Sequence, residues 1–154
     1  MRTVTTETWD IQSADGKILI HDQPDNLAVT EQALAEVSGQ LTHDGARLTL
    51  LEMPPVIGAQ CGKPSQFSSS ACRVRVDSDK RFPPYNALFR RVAGRVPGVS
   101  TISITDTICP GGVCVAELNG IVLRYDGQHF TAPAARWLAP LMYAQLVHAG
   151  ALPA

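Results

Sequence analysis

The sequence predicts an α/β fold built on a mostly parallel sheet, with a β-hairpin late in the chain. Helix-periodic segments lie between strand-like runs twice over: 25–42 between 17–21 and 46–53, then 84–95 between 46–53 and 100–105. The run 46–53, Ala-Arg-Leu-Thr-Leu-Leu-Glu-Met, is nearly continuous in apolar character and stops at Pro54-Pro55, which is how a strand covered on both faces reads. Asn119-Gly120, flanked by 113–117 and 121–125, is the strongest short-range hairpin signal in the chain.

Residues 2–9 are rich in Thr and Val, as an extended segment is, and 17–21 is a short apolar run after the Asp15-Gly16 turn. From Asp25 to Thr42, Leu27, Leu34, Val37 and Leu41 recur at helical spacing and are expected to face inward, with Asp25 or Asn26 as N-cap and Gly45 just past the end. The region 56–84 holds two cysteines and Ser68-Ser69-Ser70 and reads as a long loop, of the kind that is functional or mobile.

A second helix runs from Pro84 or Tyr85 to about Arg95, with Leu88, Phe89 and Val92 as its buried stripe and Arg90, Arg91 and Arg95 on a solvated face. Residues 100–105 alternate polar and apolar, as at a sheet edge. Thr131 is placed to cap the last helix, with Pro133 in its first turn. Trp137, Leu138, Leu141, Met142 and Leu146 form that helix's apolar face, and Pro140 is expected to kink it.

A chain of 154 residues, 45% of them hydrophobic, buries one core, so residues 1–154 are read as a single domain. A net charge of -1 with scattered Lys and Arg leaves no electrostatic case for a nucleic-acid partner. No apolar run reaches the length that spans a bilayer, and residues 1–6 hold no hydrophobic segment of the signal-peptide kind.

The four cysteines, Cys61, Cys72, Cys109 and Cys114, are spaced as two local loops, 61 with 72 and 109 with 114. Four cysteines allow three connectivities, and unpaired buried thiols are a further alternative. The spacings fit neither a zinc ribbon nor a Cys-x-x-C motif. Disulfides point to an oxidising compartment, at odds with the missing export signal.

The chemistry concentrates in Arg124-Tyr125-Asp126-Gly127-Gln128-His129-Phe130-Thr131. Asp126 and His129 stand three apart on a turn entering the last helix, on the side of an α/β sheet where functional groups collect. A carboxylate there can hold an imidazole by one ring nitrogen while the other takes a proton from a hydroxyl nucleophile. Taken alone, such a pair is short enough to arise by chance, and Asp-Gly is an ordinary turn signal. No serine has the matching setting: Ser13 lies in a Ser-Ala-Asp-Gly turn, and Ser68, Ser69 and Ser70 lie in the cysteine loop.

Several features occur in one order: the strand 46–53 ending in Pro, the cysteine loop, Tyr-Asn-Ala-Leu at 85–88, a strand ending in Asp106, Ile-Cys-Pro-Gly-Gly at 108–112, and the segment 124–131. Together they resemble the C-terminal half of an SGNH (GDSL-like) hydrolase domain, of the type fused to integral-membrane O-acyltransferases of the cell envelope. The resemblance covers most of the chain. It implies a flavodoxin-like three-layer fold, His129 as general base and Asp126 as the group that orients it, with no cofactor and no metal. It also implies an acylated glycan or lipid substrate, a membrane acyltransferase domain as partner, and an extracytoplasmic location.

The sequence departs from that family at its start. The Gly-Asp-Ser block that ends the first strand is absent, as is the Gly-bearing second block, and the match begins near the family's third strand. Thr8-Trp9-Asp10 resembles the family's Gly-x-Trp-acidic stretch near the oxyanion site, but Glu7 stands where Gly is expected, so no oxyanion role is carried over and Trp9 is read as a packing residue. The expectation is an SGNH domain that lacks its first strand and nucleophile, is inactive alone, and pairs through exposed sheet edge. Two alternatives stand beside it. One is a non-catalytic remnant or binding module. The other is a small disulfide-stapled or metal-binding domain with His21, His43 or His148 as ligands beside a cysteine.

Overall fold

The computed structural model describes residues 10–12, 15–20, 23–58, 61 and 63–153. The extended segment expected over 2–9, with Glu7, Thr8 and Trp9, lies outside them, as do Ser13 and His21.

Strands β1 (Ile11–Gln12) and β2 (Ile18–Leu19) form an antiparallel hairpin. Helix α1 (Pro24–Thr42) follows, with Gln23 rather than Asp25 or Asn26 at the N-cap and no side-chain bond there. Asn26 serves elsewhere: it is buried, its amide donates to the Leu19 carbonyl at 2.9 Å, and it accepts from Thr30 Oγ1 at 3.3 Å.

The face that α1 buries is a correction to the sequence reading. Asn26 and Ser38 are buried and Thr30, Leu34 and Thr42 are half-buried along one every-fourth-residue stripe, whereas Val29, Val37 and Leu41 are exposed at 42%, 50% and 57%. Short side chains on the inner stripe let α1 lie close to α2 (Pro83–Arg95) and to β3 (Leu48–Leu51). Glu31 locks that rotation by taking Arg91 and Arg95 at 2.6 and 2.5 Å. Those arginines therefore bridge two helices instead of merely facing solvent.

β3 pairs in parallel with β5 (Val99–Ile102), Leu48 opposite Val99 and Leu51 opposite Ile102. β3 is shorter than expected and is not covered on both faces: its first three residues are half-buried and Leu51 is 39% exposed. β5 stops at Ile102 because the chain turns into the short helix α3 (Thr105–Ile108).

The expected loop 56–84 is not structureless. It holds three 3-10 turns, Pro64–Gln66, Ser70–Cys72 and Val76–Ser78, and strand β4 (Arg73–Arg75), antiparallel to β6 (Val113–Val115). Helix α2 buries Tyr85, Leu88 and Val92, with Phe89 only half-buried. The late hairpin forms as expected but with shorter arms, β7 (Glu117–Leu118) and β8 (Ile121–Val122). Asn119 at φ 53° and Gly120 at φ 79° supply the paired positive φ angles of a type I′ turn. Helix α4 (Ala132–His148) is capped by Thr131, whose hydroxyl accepts from Ala134 N at 3.2 Å, and it continues through Pro140. Leu138 is buried on it, while Leu141 is exposed.

The class is thus α/β. Among the described residues β3–β5 is the one parallel pair and the other three pairs are antiparallel, so the mostly parallel sheet that the sequence predicts is not found there. The core gathers Ile57, Ile104, Ile108, Ala116, Leu123, Ala134 and Leu138 around both disulfides, Cys61–Cys72 and Cys109–Cys114. The two local pairings are the ones the spacing suggests, no thiol is free, and all four cysteines are nearly or fully buried. In the chain-entropy view each loop removes about 2–3 kcal/mol of unfolded-state freedom.

The rotation of α1 is testable by urea denaturation. Val37→Gln or Leu41→Gln is expected to change stability by no more than about 0.5 kcal/mol, whereas Leu88→Ala costs about 2–5 kcal/mol. Core-sized losses at Val37 or Leu41 would show that α1 is turned the other way.

Candidate functional site

The site is built where β3 ends. Glu52 N extends the parallel ladder to the Ile102 carbonyl at 2.9 Å, and beyond Met53 neither Pro54 nor Pro55 has an N–H to continue it. The Asn86 side chain takes over: its Oδ1 accepts from Met53 N at 2.8 Å and its Nδ2 donates to Met53 O at 2.9 Å. Buried Glu52 is held by Arg90 through two bonds at 2.7 and 2.5 Å. Helix α2 is thereby clamped to the strand exit.

The turn 125–129 docks on the chain just beyond. Arg124 and Phe130 form an isolated antiparallel bridge, Tyr125 N donates to His129 O at 3.3 Å, and Thr131 N donates to Leu123 O at 3.0 Å. Arg124, only 3% exposed, donates through one terminal nitrogen to the carbonyls of Pro55 at 2.5 Å and Gly127 at 3.2 Å, with the Phe130 ring 5.1 Å from its guanidinium carbon. Burial draws the Arg124 pKa down to about 10, against the opposing charge of Asp126, so it is still a cation at neutral pH. Gly127, at φ +84°, receives the Ile57 N–H at 3.3 Å, and a Cβ there would overlap the Ile57 carbonyl oxygen. Only glycine fits that seat.

Asp126 organises the turn with one oxygen and the imidazole with the other. Oδ1 accepts the N–H groups of Gln128 at 3.0 Å and His129 at 2.7 Å, while Oδ2 lies 2.6 Å from His129 Nδ1. The bond to the imidazole first, then the two backbone donors, hold the Asp126 pKa down at about 2. An ionised carboxylate only accepts, so Nδ1 carries the proton, and in the neutral imidazole Nε2 presents its lone pair. Tyr125 stacks on the imidazole, with ring centroids 5.8 Å apart and planes 18° from parallel. The His129 side chain is 68% exposed, and among the described residues Nε2 has no hydrogen-bond partner. The arrangement is an oriented base, able to accept a proton from a hydroxyl that approaches Nε2.

Asp126 and His129, which the sequence singles out, are thus in direct contact. No serine among the described residues hydrogen-bonds His129, and Ser69 Oγ instead reaches Cys72 Sγ at 3.2 Å. The metal-binding alternative needs a thiolate, and all four cysteines are in disulfides. His43 pairs with Asp44 at 2.9 Å on the surface, and His148 is exposed in the last turn of α4. The sequence reading assigned no role to Arg124, Asn86 or Gly127. A signal for the first was present, a lone cation ending the apolar run Ile121-Val122-Leu123.

The family model described as SGNH domain (fused to AT3 domains) matches residues 4–144. No match was found to a curated protein or to a solved structure. Among the described residues no helix is long and apolar enough to cross a membrane.

Two outcomes are expected of this geometry. Gly127→Ala destabilises the chain by more than about 1 kcal/mol and broadens or shifts the His129 ring resonances, as urea denaturation and NMR will show. Folding lowers the Asp126 pKa, so its contribution to stability is complete above the ordinary aspartate value of about 3.9 and is lost as pH falls from there through about 2. Carboxyl-detected NMR of His129→Ala should find Asp126 titrating higher than in the wild type but still below the ordinary value, because the backbone donors remain.

Proposed function

Because the chain belongs to the family of SGNH domains fused to AT3 domains, we propose that it serves O-acyl transfer or ester hydrolysis on an acylated glycan or lipid of the cell envelope, with a membrane acyltransferase domain as its partner. The observation that carries this reading is the 2.6 Å contact between Asp126 and His129 Nδ1, with Nε2 left open. In the proposed step a serine hydroxyl bonds to the acyl carbon as its proton passes to Nε2 of His129. The Asp126 carboxylate stabilises the imidazolium, and the same proton then goes to the leaving oxygen. Water or an acceptor hydroxyl completes the cycle by the reverse route.

The hydroxyl is the part this sequence does not offer in a suitable setting. In this reading it comes from a companion segment carrying the Gly-Asp-Ser block, within a flavodoxin-like three-layer arrangement for which the parallel β3–β5 pair gives partial support. The chain alone then turns over little. The lack of a serine hydrogen-bonded to His129 among the described residues favours a second reading, a binding module that keeps the fold without chemistry.

Ester turnover and labelling by a fluorophosphonate probe, both on the polypeptide that carries this chain with its Gly-Asp-Ser partner, separate the two. His129→Ala is expected to lower turnover about 10³-fold or more and to abolish labelling, and Asp126→Asn to lower turnover about 10²–10⁴-fold. Unchanged turnover in His129→Ala would remove the catalytic reading.

A further inference from the structure

The two arms of the turn 125–129 run antiparallel, so successive residues on each arm face opposite ways. The bridged pair, Arg124 and Phe130, faces inward: the guanidinium is buried and the Phe130 ring lies 5.1 Å from it. The next pair, Tyr125 and His129, faces solvent, with Tyr125 59% exposed. The proposed acyl step gives Tyr125 no task, although its ring stacks on the base.

Asp126 alone does not fix the imidazole. Its bond to Nδ1 sets where that atom sits, but a ring held at one corner can still swing about the bond axis and carry Nε2 with it. A second ring, 5.8 Å away between centroids and 18° from parallel, favours the orientation in which the two planes stay aligned. The same ring has an electrostatic effect. An aromatic face attracts a cation within about 6 Å of its centroid, so it favours imidazolium over neutral imidazole once Nε2 takes a proton.

We propose that Tyr125 is a positioning residue of the base: it holds the plane of His129, so that Nε2 keeps one line of approach, and it stabilises the positive charge that forms there. The charge-stabilising half rests on the acyl-transfer reading, whereas the orienting half is a property of the turn itself. Tyr125 acts through His129 and needs only its ring, not its hydroxyl. Phenylalanine at this position can therefore do the same work, and leucine, which keeps apolar bulk without a ring, cannot. Because the side chain is exposed, neither substitution empties the core.

The test has two arms. In NMR of the full chain, Tyr125→Leu is expected to shift the His129 ring-proton resonances, while Tyr125→Phe leaves them near their wild-type positions. On the polypeptide that carries this chain with its Gly-Asp-Ser partner, Tyr125→Leu is expected to lower kcat about two- to fivefold at unchanged KM, and Tyr125→Phe to keep the wild-type kcat. Unshifted ring resonances or an unchanged kcat in Tyr125→Leu would each overturn the proposal. So would an equal loss in both variants, or a loss confined to KM, which marks a substrate contact instead. Unchanged turnover in His129→Ala is a different result: it removes the acyl-transfer reading and the charge-stabilising half with it, while the ring resonances still decide whether Tyr125 orients the imidazole.

Discussion

The buried guanidinium of Arg124 is the constraint on which the rest of the site depends. A charge taken out of water is costly unless its donors are met, and here the acceptors come from two distant pieces of chain. The Pro55 carbonyl is available because Pro54-Pro55 ends the β3 ladder, and the Gly127 carbonyl is available because the turn 125–129 folds back over it. Strand termination, burial of the cation and placement of the Asp126–His129 turn are therefore one event. Asp126 also offsets part of the desolvation cost by its own charge, so the residue that orients the imidazole helps to keep the underlying cation charged.

The same strand exit relies on side chains wherever strand pairing runs out. Asn86 satisfies both backbone groups of Met53, and Arg90 neutralises the buried Glu52. Beneath them the core is unusual in material: the chain is only 6% aromatic, and two disulfides sit at the centre of its buried cluster. Cys61 of the Cys61–Cys72 bridge donates its N–H to the Gly58 carbonyl at 2.9 Å, and 57–58 are the two residues against which Gly127 is seated. Leu123 and Ala134, from either side of the site turn, pack into the same cluster. Aliphatic side chains and sulfur bridges thus form the floor of the turn.

What was legible in the sequence divides by the range of the forces involved. Local signals read correctly: the Asn119-Gly120 hairpin, the Thr131 cap, the two short-range disulfides and the Asp-x-x-His turn all depend on residues close together in the chain. The buried face of α1 was misread because periodicity in hydrophobicity pointed to Val37 and Leu41, while the rotation is set by Glu31 meeting arginines of another helix and by Asn26 reaching Leu19. β4 was missed because Arg73-Val74-Arg75 is too short to read as a strand without β6, far along the chain. Arg124, Asn86 and Gly127 have roles that exist only across such distances, so motif spacing could not assign them.

In the proposed reading, the Asp126–His129 pair separates two requirements of a catalytic base. The orientation of the imidazole is set: the carboxylate is anionic far below neutral pH, both of its oxygens are committed, and Tyr125 stacks on the ring at 5.8 Å. Electrostatic strength is a different matter, because attraction between a carboxylate and a developing imidazolium is screened by water, and this imidazole is mostly exposed. A surface that closes over Nε2 would raise the value of the Asp126 charge without moving either residue. The turn supplies orientation, which depends on local bonds. The dielectric in which that orientation would become catalysis depends, in the proposed reading, on whatever brings the hydroxyl.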